Sequence, residues 1–161
     1  MSTLYVDNLQ PNLGNRVMAA GHVVQTVHEV GPSTQINLAT AGTWTNLIGS
    51  ATITPTSANS KILVIMCQSF IGNNCLSQGV RILRTIGSTD TSMARQEWYN
   101  NGTIWQGSVA TLNHLDSPNT TSAITYRMQG YAQSVASQAA RYNYQYQIGS
   151  DPQITLMEIA Q

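Results

Sequence analysis

The sequence has 161 residues, enough for one domain with a two-layer hydrophobic core. Charged residues make up 9% of the chain, against roughly 25% in an average soluble protein. Seven basic residues balance seven acidic ones, so no net field would attract nucleic acid or an anionic membrane. No apolar stretch reaches the roughly 20 residues of a membrane span, and no signal peptide is apparent at the N-terminus. We therefore predict neither nucleic acid binding nor membrane insertion, and the low charge suits a protein that lives in an assembly.

Residues 1–20 differ from the rest of the chain, which we predict to be one domain over residues 21–161. Large apolar side chains occur here without a sustained period, and Pro11 and Gly14 argue against one continuous helix. Such a segment is either a loose terminus or an arm that becomes ordered against a partner. The number of large apolar residues favours the arm. The residues that would attach it are Leu4, Val6, Leu9, Leu13 and Val17.

From residue 21 onward, short segments with strand character alternate with turns. Between them, residues 91–102 are polar and are predicted to form a long loop, with at most one helical turn. Many short strands at close spacing, with almost no helical period, predict an antiparallel sandwich or barrel. The predicted strands are 22–30, 35–38, 47–54, 61–71, 79–86, 103–115, 123–131, 142–148 and 154–160.

Two of these strands are apolar on both faces. Every residue from Ile62 to Cys67 is apolar, and the last strand is interrupted only by Thr155 and Glu158. One face of such a strand can fill the core, and the other must be covered by something else. A neighbouring subunit is the favoured cover, and loops of the same chain are the alternative.

Few residues offer chemistry. His114 and Asp116 share a strand face, but no nucleophile is marked out, and a turn in which Asp116 bonds backbone amides is the favoured interpretation. His22 and His28 are too far apart on a strand to bind one metal ion, and no CxxC or calcium-loop pattern occurs. We predict no enzyme, cofactor or metal. The two cysteines, Cys67 and Cys75, are expected to be free thiols, with a disulfide as the alternative.

The aromatic residues near the polar loop allow two interpretations. Trp98, Tyr99 and Trp105 flank it, and an exposed ring could stack on a sugar. The alternative, which we favour, is that each ring fills the edge of the sandwich.

Several segments resemble small virion proteins of tailed phages, especially marine and cyanobacterial ones, which are commonly labelled as tail-fibre or structural proteins. The resemblance is spread over most of the chain, and its motifs are patterns of strand and turn. Thr125 and Tyr126 also match. The segments are Met1–Gln10, Val17–Gln25, Trp44–Val64, Leu115–Pro118 and Ile154–Ala160.

The resemblance implies a jelly-roll domain like those of tumour-necrosis-factor and complement-globular-head proteins, assembled as a homotrimer in the virion. The arm would attach the trimer to other virion proteins of the tail or capsid. A non-enzymatic tail fibre or short appendage is then expected. A capsid decoration or head-fibre protein is the alternative, and a small polysaccharide-degrading enzyme is a more distant one. The predicted subunit interface comprises Ile65, Met66, Leu156, Met157 and Ile159.

The loops that point outward are expected to be free to touch a glycan or protein of the host surface. They lie around residues 73–74, 89–102 and 134–139, and they are largely polar, as adaptable contact surfaces often are. The residues chosen for this contact are Asn73, Asn74, Trp98, Tyr99 and Asn101.

Overall fold

The computed structural model describes residues 19–32, 34–100, 103–134, 140–143 and 151–161. Over these residues the chain is all-β and contains no helix, and so none that could cross a membrane. The arm residues Leu4, Val6, Leu9, Leu13 and Val17 lie outside the described part. The strands are β1 Val23–Val30, β2 Ile36–Asn37, β3 Thr45–Ile53, β4 Lys61–Gly72, β5 Leu76–Ile86, β6 Thr89–Asn100, β7 Gln106–Asp116, β8 Ile124–Ala132, β9 Ala140–Tyr142 and β10 Gln153–Ile159.

The strands form two antiparallel sheets packed face to face. The four-stranded sheet has the order β3-β8-β5-β6, and the six-stranded sheet holds β1, β10, β4, β7, β9 and β2. Strand β4 is central in the larger sheet, because β7 pairs along one of its sides while β10 and then β9 pair along the other. The chain crosses repeatedly between the two sheets, as in a jelly roll. This confirms the predicted antiparallel jelly-roll sandwich.

The core lies between the two sheets. It is built from alternate residues of each strand, as the period of two in a β-strand requires. The larger sheet contributes Ile62, Val64 and Met66 from β4 together with Leu156 from β10, all with no exposed surface. From the smaller sheet come Val80, Ile82, Ile124, Tyr126 and Met128.

Strand β4 confirms the prediction of a central strand that is apolar on both faces. Its even-numbered residues from 62 to 66 are buried between the sheets, whereas Leu63, Ile65 and Cys67 are partly exposed on the outer side. Both cysteines are free thiols, as expected: Cys67 lies on that outer side and Cys75 is buried just beyond the strand.

The prediction of a long loop over residues 91–102 is wrong for most of its length. Residues 89–100 form β6, a twelve-residue edge strand paired with β5 from Leu76↔Asn100 to Ile86↔Thr89. A two-residue turn joins the strands, and Gly87 there has a φ of 59°, which favours glycine. The sequence of this segment resembles that of a loop because most of its side chains face solvent and are polar. Its hydrogen bonds to β5 cannot be predicted from the residues of β6 alone.

Candidate functional sites

One outer side of the sandwich carries a cluster of apolar side chains. We call it the apolar face and define it by Leu63, Ile65 and Cys67 of β4, Leu115 of β7, and Met157 and Ile159 of β10. Its members are partly exposed, and Leu115 is 49% exposed. All of them belong to strands of the six-stranded sheet and face away from the core.

The pairing register brings these side chains together. Leu63 lies between Met157 on one side and Leu115 on the other. The next outward row places Ile65 between Thr155 and Asn113. Cross-strand neighbours in an antiparallel pair have Cβ atoms roughly 4.5–5.5 Å apart. The apolar face is therefore a continuous surface across three strands.

The structure corrects the predicted subunit interface at two positions. Met66 and Leu156 have no exposed surface, because their side chains point into the core of their own chain. They cannot contact a neighbouring subunit directly. The sequence-based prediction included them because both faces of these strands are apolar. The sequence alone therefore does not show whether the odd-numbered or the even-numbered side chains point into the core. Ile65, Met157 and Ile159 point outward and stay in the prediction.

The residues chosen for host contact do not form one surface loop. Trp98 is partly buried in β6 and packs on Phe70 of the opposite sheet, with ring centroids 3.8 Å apart. The adjacent Tyr99 is 67% exposed, and Asn74 is exposed at a φ of 48° in the β4–β5 turn. Asn73 in the same turn is partly buried, and Asn101 lies outside the described residues. Trp98 therefore fills the edge of the sandwich, as the favoured interpretation held, whereas for the exposed Tyr99 that interpretation is wrong.

A cleft lies between the two sheets where the edge strands β6 and β7 face each other. Its volume is about 170 Å³. Buried Phe70, Gln78 and Asn100 form its inner part, and exposed residues at the start of β7 form its rim. We call it the edge cleft. It is lined by Phe70, Gln78, Trp98, Asn100, Gln106, Gly107 and Ser108.

The inner wall of the edge cleft is held by close contacts. The Asn100 side chain donates to the carbonyl of Gly72 at 2.9 Å, and the Gln78 amide lies 3.5 Å from the carbonyl of Ile71. A Cβ at Gly72 would stand 2.2 Å from Gln78 Oε1 and 2.8 Å from Cys75 Sγ, so a larger residue there would displace these side chains. Cys75 lies against the same amide, and burial raises the pKa of its thiol. The inner wall is therefore closely packed, and the raised pKa disfavours the thiolate form of Cys75.

The catalytic reading of His114 and Asp116 finds no support in the geometry. Asp116 accepts hydrogen bonds from Arg84 Nη1 at 2.8 Å and from the Tyr126 hydroxyl at 2.6 Å. Burial, with Asp116 adding to it, raises the pKa of Tyr126 far above its ordinary value. The carboxylate ties the two sheets together and does not orient His114. The favoured turn, with Asp116 bonding backbone amides, is likewise replaced by these side-chain partners.

A second buried carboxylate was missed by the sequence reasoning. Glu158 of β10 has no exposed surface and accepts hydrogen bonds from Gln25 Nε2 at 2.7 Å and from both the backbone and the hydroxyl of Thr56. These contacts join β1, β10 and the β3–β4 loop. The one charged residue in a largely apolar strand is the only sequence signal for such a role. Among the described residues, no group of three His, Cys, Asp or Glu side chains could hold a metal ion.

Comparison with solved structures agrees with the fold. The chain is similar to Eiger TNF from S. frugiperda, with a TM-score of 0.50 and 6% identity over 86% of this chain and 94% of that one. It also matches two structures of infectious bursal disease virus, covering about two fifths of their chains. For the Gx strain the TM-score is 0.47 with 12% identity, 97% of this chain and 41% of that one. For the Gt strain it is 0.46 with 13% identity, 93% and 40%.

The chain therefore has a jelly-roll sandwich similar to that of a TNF protein. No family model and no curated protein matches the sequence.

Proposed function

We propose that the chain is a non-enzymatic structural protein of a phage particle. In this proposal it forms a homotrimeric tail fibre or short appendage that residues 1–18 attach to the virion, with a distal surface free to contact the host. The observation that carries the proposal is the apolar face, a cluster of partly exposed apolar side chains on the outside of the sandwich. The phage resemblance of the sequence supplies the setting.

The two outer faces of the sandwich differ in a way that supports association through one of them. On the four-stranded sheet, the outward side chains include Arg81, Arg95 and Arg127, with Asp90 and Glu97 among them. Charged side chains of both signs are suited to water and resist stacking.

Along β4 and β10 of the other outer face, the outward side chains other than Lys61 are uncharged. The charged residues on the outer side of β4 and β9, Lys61 and Arg141, stand at opposite ends of β4. Between them lie Leu63 and Ile65 of β4. Leu63 is flanked by the apolar Met157 and Leu115, and Ile65 by the uncharged polar Thr155 and Asn113. Covering apolar area contributes about 25 cal/mol per Å², so repeated contacts around a symmetry axis add up to a stable assembly.

The oligomer is tested by placing a charge on the apolar face. Ile65→Asp and Ile159→Asp each put a carboxylate where a neighbour would desolvate it, a cost that a few aliphatic contacts cannot offset. By light scattering we expect a trimer for the unmodified protein and a monomer for both variants, with unchanged β-sheet circular dichroism. Ser92→Asp, on the exposed outer face of β6, is the matched control and should stay trimeric. Trimers of all variants would exclude the apolar face as the interface.

Attachment is tested by deleting residues 1–18. The deletion stops there because Ala19 accepts a hydrogen bond from the His22 amide and Gly21 donates to Ala160, so these residues belong to the folded body. We expect the shortened chain to fold and to form trimers, but not to join particles. Antibody labelling of intact virions, viewed by electron microscopy, then distinguishes a tail appendage from a decoration of the capsid. Shortening of host polysaccharide by the purified protein would contradict the non-enzymatic role.

A further inference from the structure

The edge cleft has the size and the chemistry of a site for one small ring. A cavity of roughly 150 Å³ admits a six-membered ring such as benzene, and the edge cleft measures about 170 Å³. It is open to solvent on the side of Gln106 and Ser108, both exposed. One ring-sized group could therefore enter between the sheets.

The lining selects a ligand that is apolar on its faces and polar at its edges. Phe70 and Trp98 supply aromatic surface, and Gln106 and Ser108 supply an amide and a hydroxyl on the rim. Neither rim side chain has a hydrogen-bond partner in the described part of the chain, so both can bind a ligand without breaking a protein contact. Aromatic rings stack on the C–H faces of sugars while amides and hydroxyls bond the sugar hydroxyls.

The lack of charge in the lining of the edge cleft restricts the class of ligand further. None of the residues that line the edge cleft is charged. An anionic sugar or a cation would lose its hydration there without a charged partner, and burying an unpaired charge is costly. A purely aromatic ligand would leave the rim amide and hydroxyl without partners. A neutral sugar satisfies both parts of the lining.

Two further features mark this end of the sandwich. The indole Nε1–H of Trp98 is shielded from water and has no acceptor among the described residues, an arrangement that is unfavourable for a buried donor. Leu76, which pairs with Asn100 beside the cleft, has a φ of 58°, a strained value for leucine. Unsatisfied groups and backbone strain persist where the surrounding structure enforces them, and they cluster at binding sites.

We propose that the edge cleft binds a single neutral hexopyranose unit, as found at the end of a surface glycan. The proposal rests on the proposed function in one respect, since it gives the host contact a ligand class. The ring would seat against Phe70 and Trp98, and its hydroxyls would bond Gln106 and Ser108. Binding is read on the isolated protein and needs no virion.

The experiment titrates the full-length protein with glucose, galactose, mannose and N-acetylglucosamine, using saturation-transfer NMR and calorimetry, with sialic acid as the charged comparison. We expect saturable binding of at least one neutral sugar and none of sialic acid. Gln106→Ala and Ser108→Ala should each weaken it roughly fivefold, the value of one neutral hydrogen bond. Both positions are exposed, so neither change should unfold the chain.

Gln96→Ala is the matched control, because Gln96 is an exposed glutamine on the facing strand β6 that does not line the cleft. It should bind like the unmodified protein. Absence of neutral-sugar binding, preference for sialic acid, or equal binding by all variants would each overturn the proposal. Light scattering on the same samples separates the two proposals: a trimer that binds no sugar refutes only the ligand, and a monomer that binds sugar refutes only the assembly.

Discussion

Glu158 shows how a single buried carboxylate can support the fold. Burial opposes its ionisation, but hydrogen bonds from Gln25, Ser60 and Thr56 outweigh burial, and the pKa of the carboxyl lies below its ordinary 4.5. A lowered pKa in the folded state means that the charged form stabilises the fold. This contribution is present above pH 4.5 and is lost as the pH falls through the lower, folded-state pKa.

Glu158→Gln should therefore destabilise the protein at neutral pH but not in acid. The new amide would turn a donor toward the donors that now face the carboxylate, and we expect a loss of about 1–3 kcal/mol at pH 7. Chemical denaturation between pH 7 and pH 3 is the measurement, and the gap between the two proteins should close as the pH falls below 4.5. Glu29→Gln, on exposed β1, is the control and should follow the unmodified protein. A gap that is constant with pH would contradict this role.

Asp116 is the second residue whose removal should be costly, because two partners depend on it. Asp116→Ala leaves the Arg84 guanidinium, 18% exposed, and the buried Tyr126 hydroxyl without their acceptor. Removing one partner of a buried pair costs about 3–5 kcal/mol. Tyr126→Phe removes only one hydrogen bond, so we expect about 1 kcal/mol. Equal, small losses for both variants in urea denaturation would show that the ion pair contributes little.

At the scale of the elements, β9 is joined to β5 of the opposite sheet by a side chain that crosses the sandwich. The Tyr142 hydroxyl donates to the carbonyl of Gly79 at 2.6 Å, and burial raises the pKa of this phenol. The ring passes directly over Gly130 of β8, where an added Cβ would stand 2.7 Å from Tyr142 and 2.9 Å from Leu47. The absence of a side chain at Gly130 is therefore what lets the sheets pack here.

Gly130→Ala should destabilise the fold by about 1–3 kcal/mol, the usual cost of overpacking. The tyrosine cannot move aside without losing its hydrogen bond to Gly79. Thermal or urea unfolding measures the loss, and combining Gly130→Ala with Tyr142→Leu should give a total smaller than the sum of the single changes, because the smaller side chain removes the overlap. Strictly additive losses would show that the two positions do not compete for space.

The elements also show what the sequence could and could not predict. The central position of β4 followed from its composition, since a strand that is apolar on both faces must be covered twice. β6 was not predicted because an edge strand with polar side chains resembles a loop in sequence unless its partner strand is known. The edge cleft was not predicted for a related reason. Its lining comes from four different strands, which only the fold brings together: Phe70, Gln78, Trp98 and Gln106.

At the scale of the molecule, the two outer faces of the sandwich differ in polarity. The outer face of the four-stranded sheet carries charged side chains, whereas the apolar face exposes apolar side chains to water. Leu63, Ile65 and Leu115 form the centre of the apolar face in the pairing register. The outward charged pairs, Arg95–Glu97 and Arg127–Asp90, lie on the opposite sheet. Attraction across the apolar face would come from buried apolar area, with few charges involved. An interface of this kind should therefore depend much less on salt concentration than an interface made of ion pairs.

The dissociation constant of the assembly should change by less than about threefold between about 0.05 M and about 0.5 M NaCl, because screening acts on charges and not on apolar burial. Sedimentation of dilute protein at several salt concentrations is the measurement. Since association stabilises only the folded state, the melting temperature should also rise with protein concentration. In the Ile65→Asp variant that rise should disappear. A dissociation constant that rises tenfold or more with salt would assign the contact to the charged face of the four-stranded sheet. The subunits of the trimer would then associate through that face and not through the apolar face.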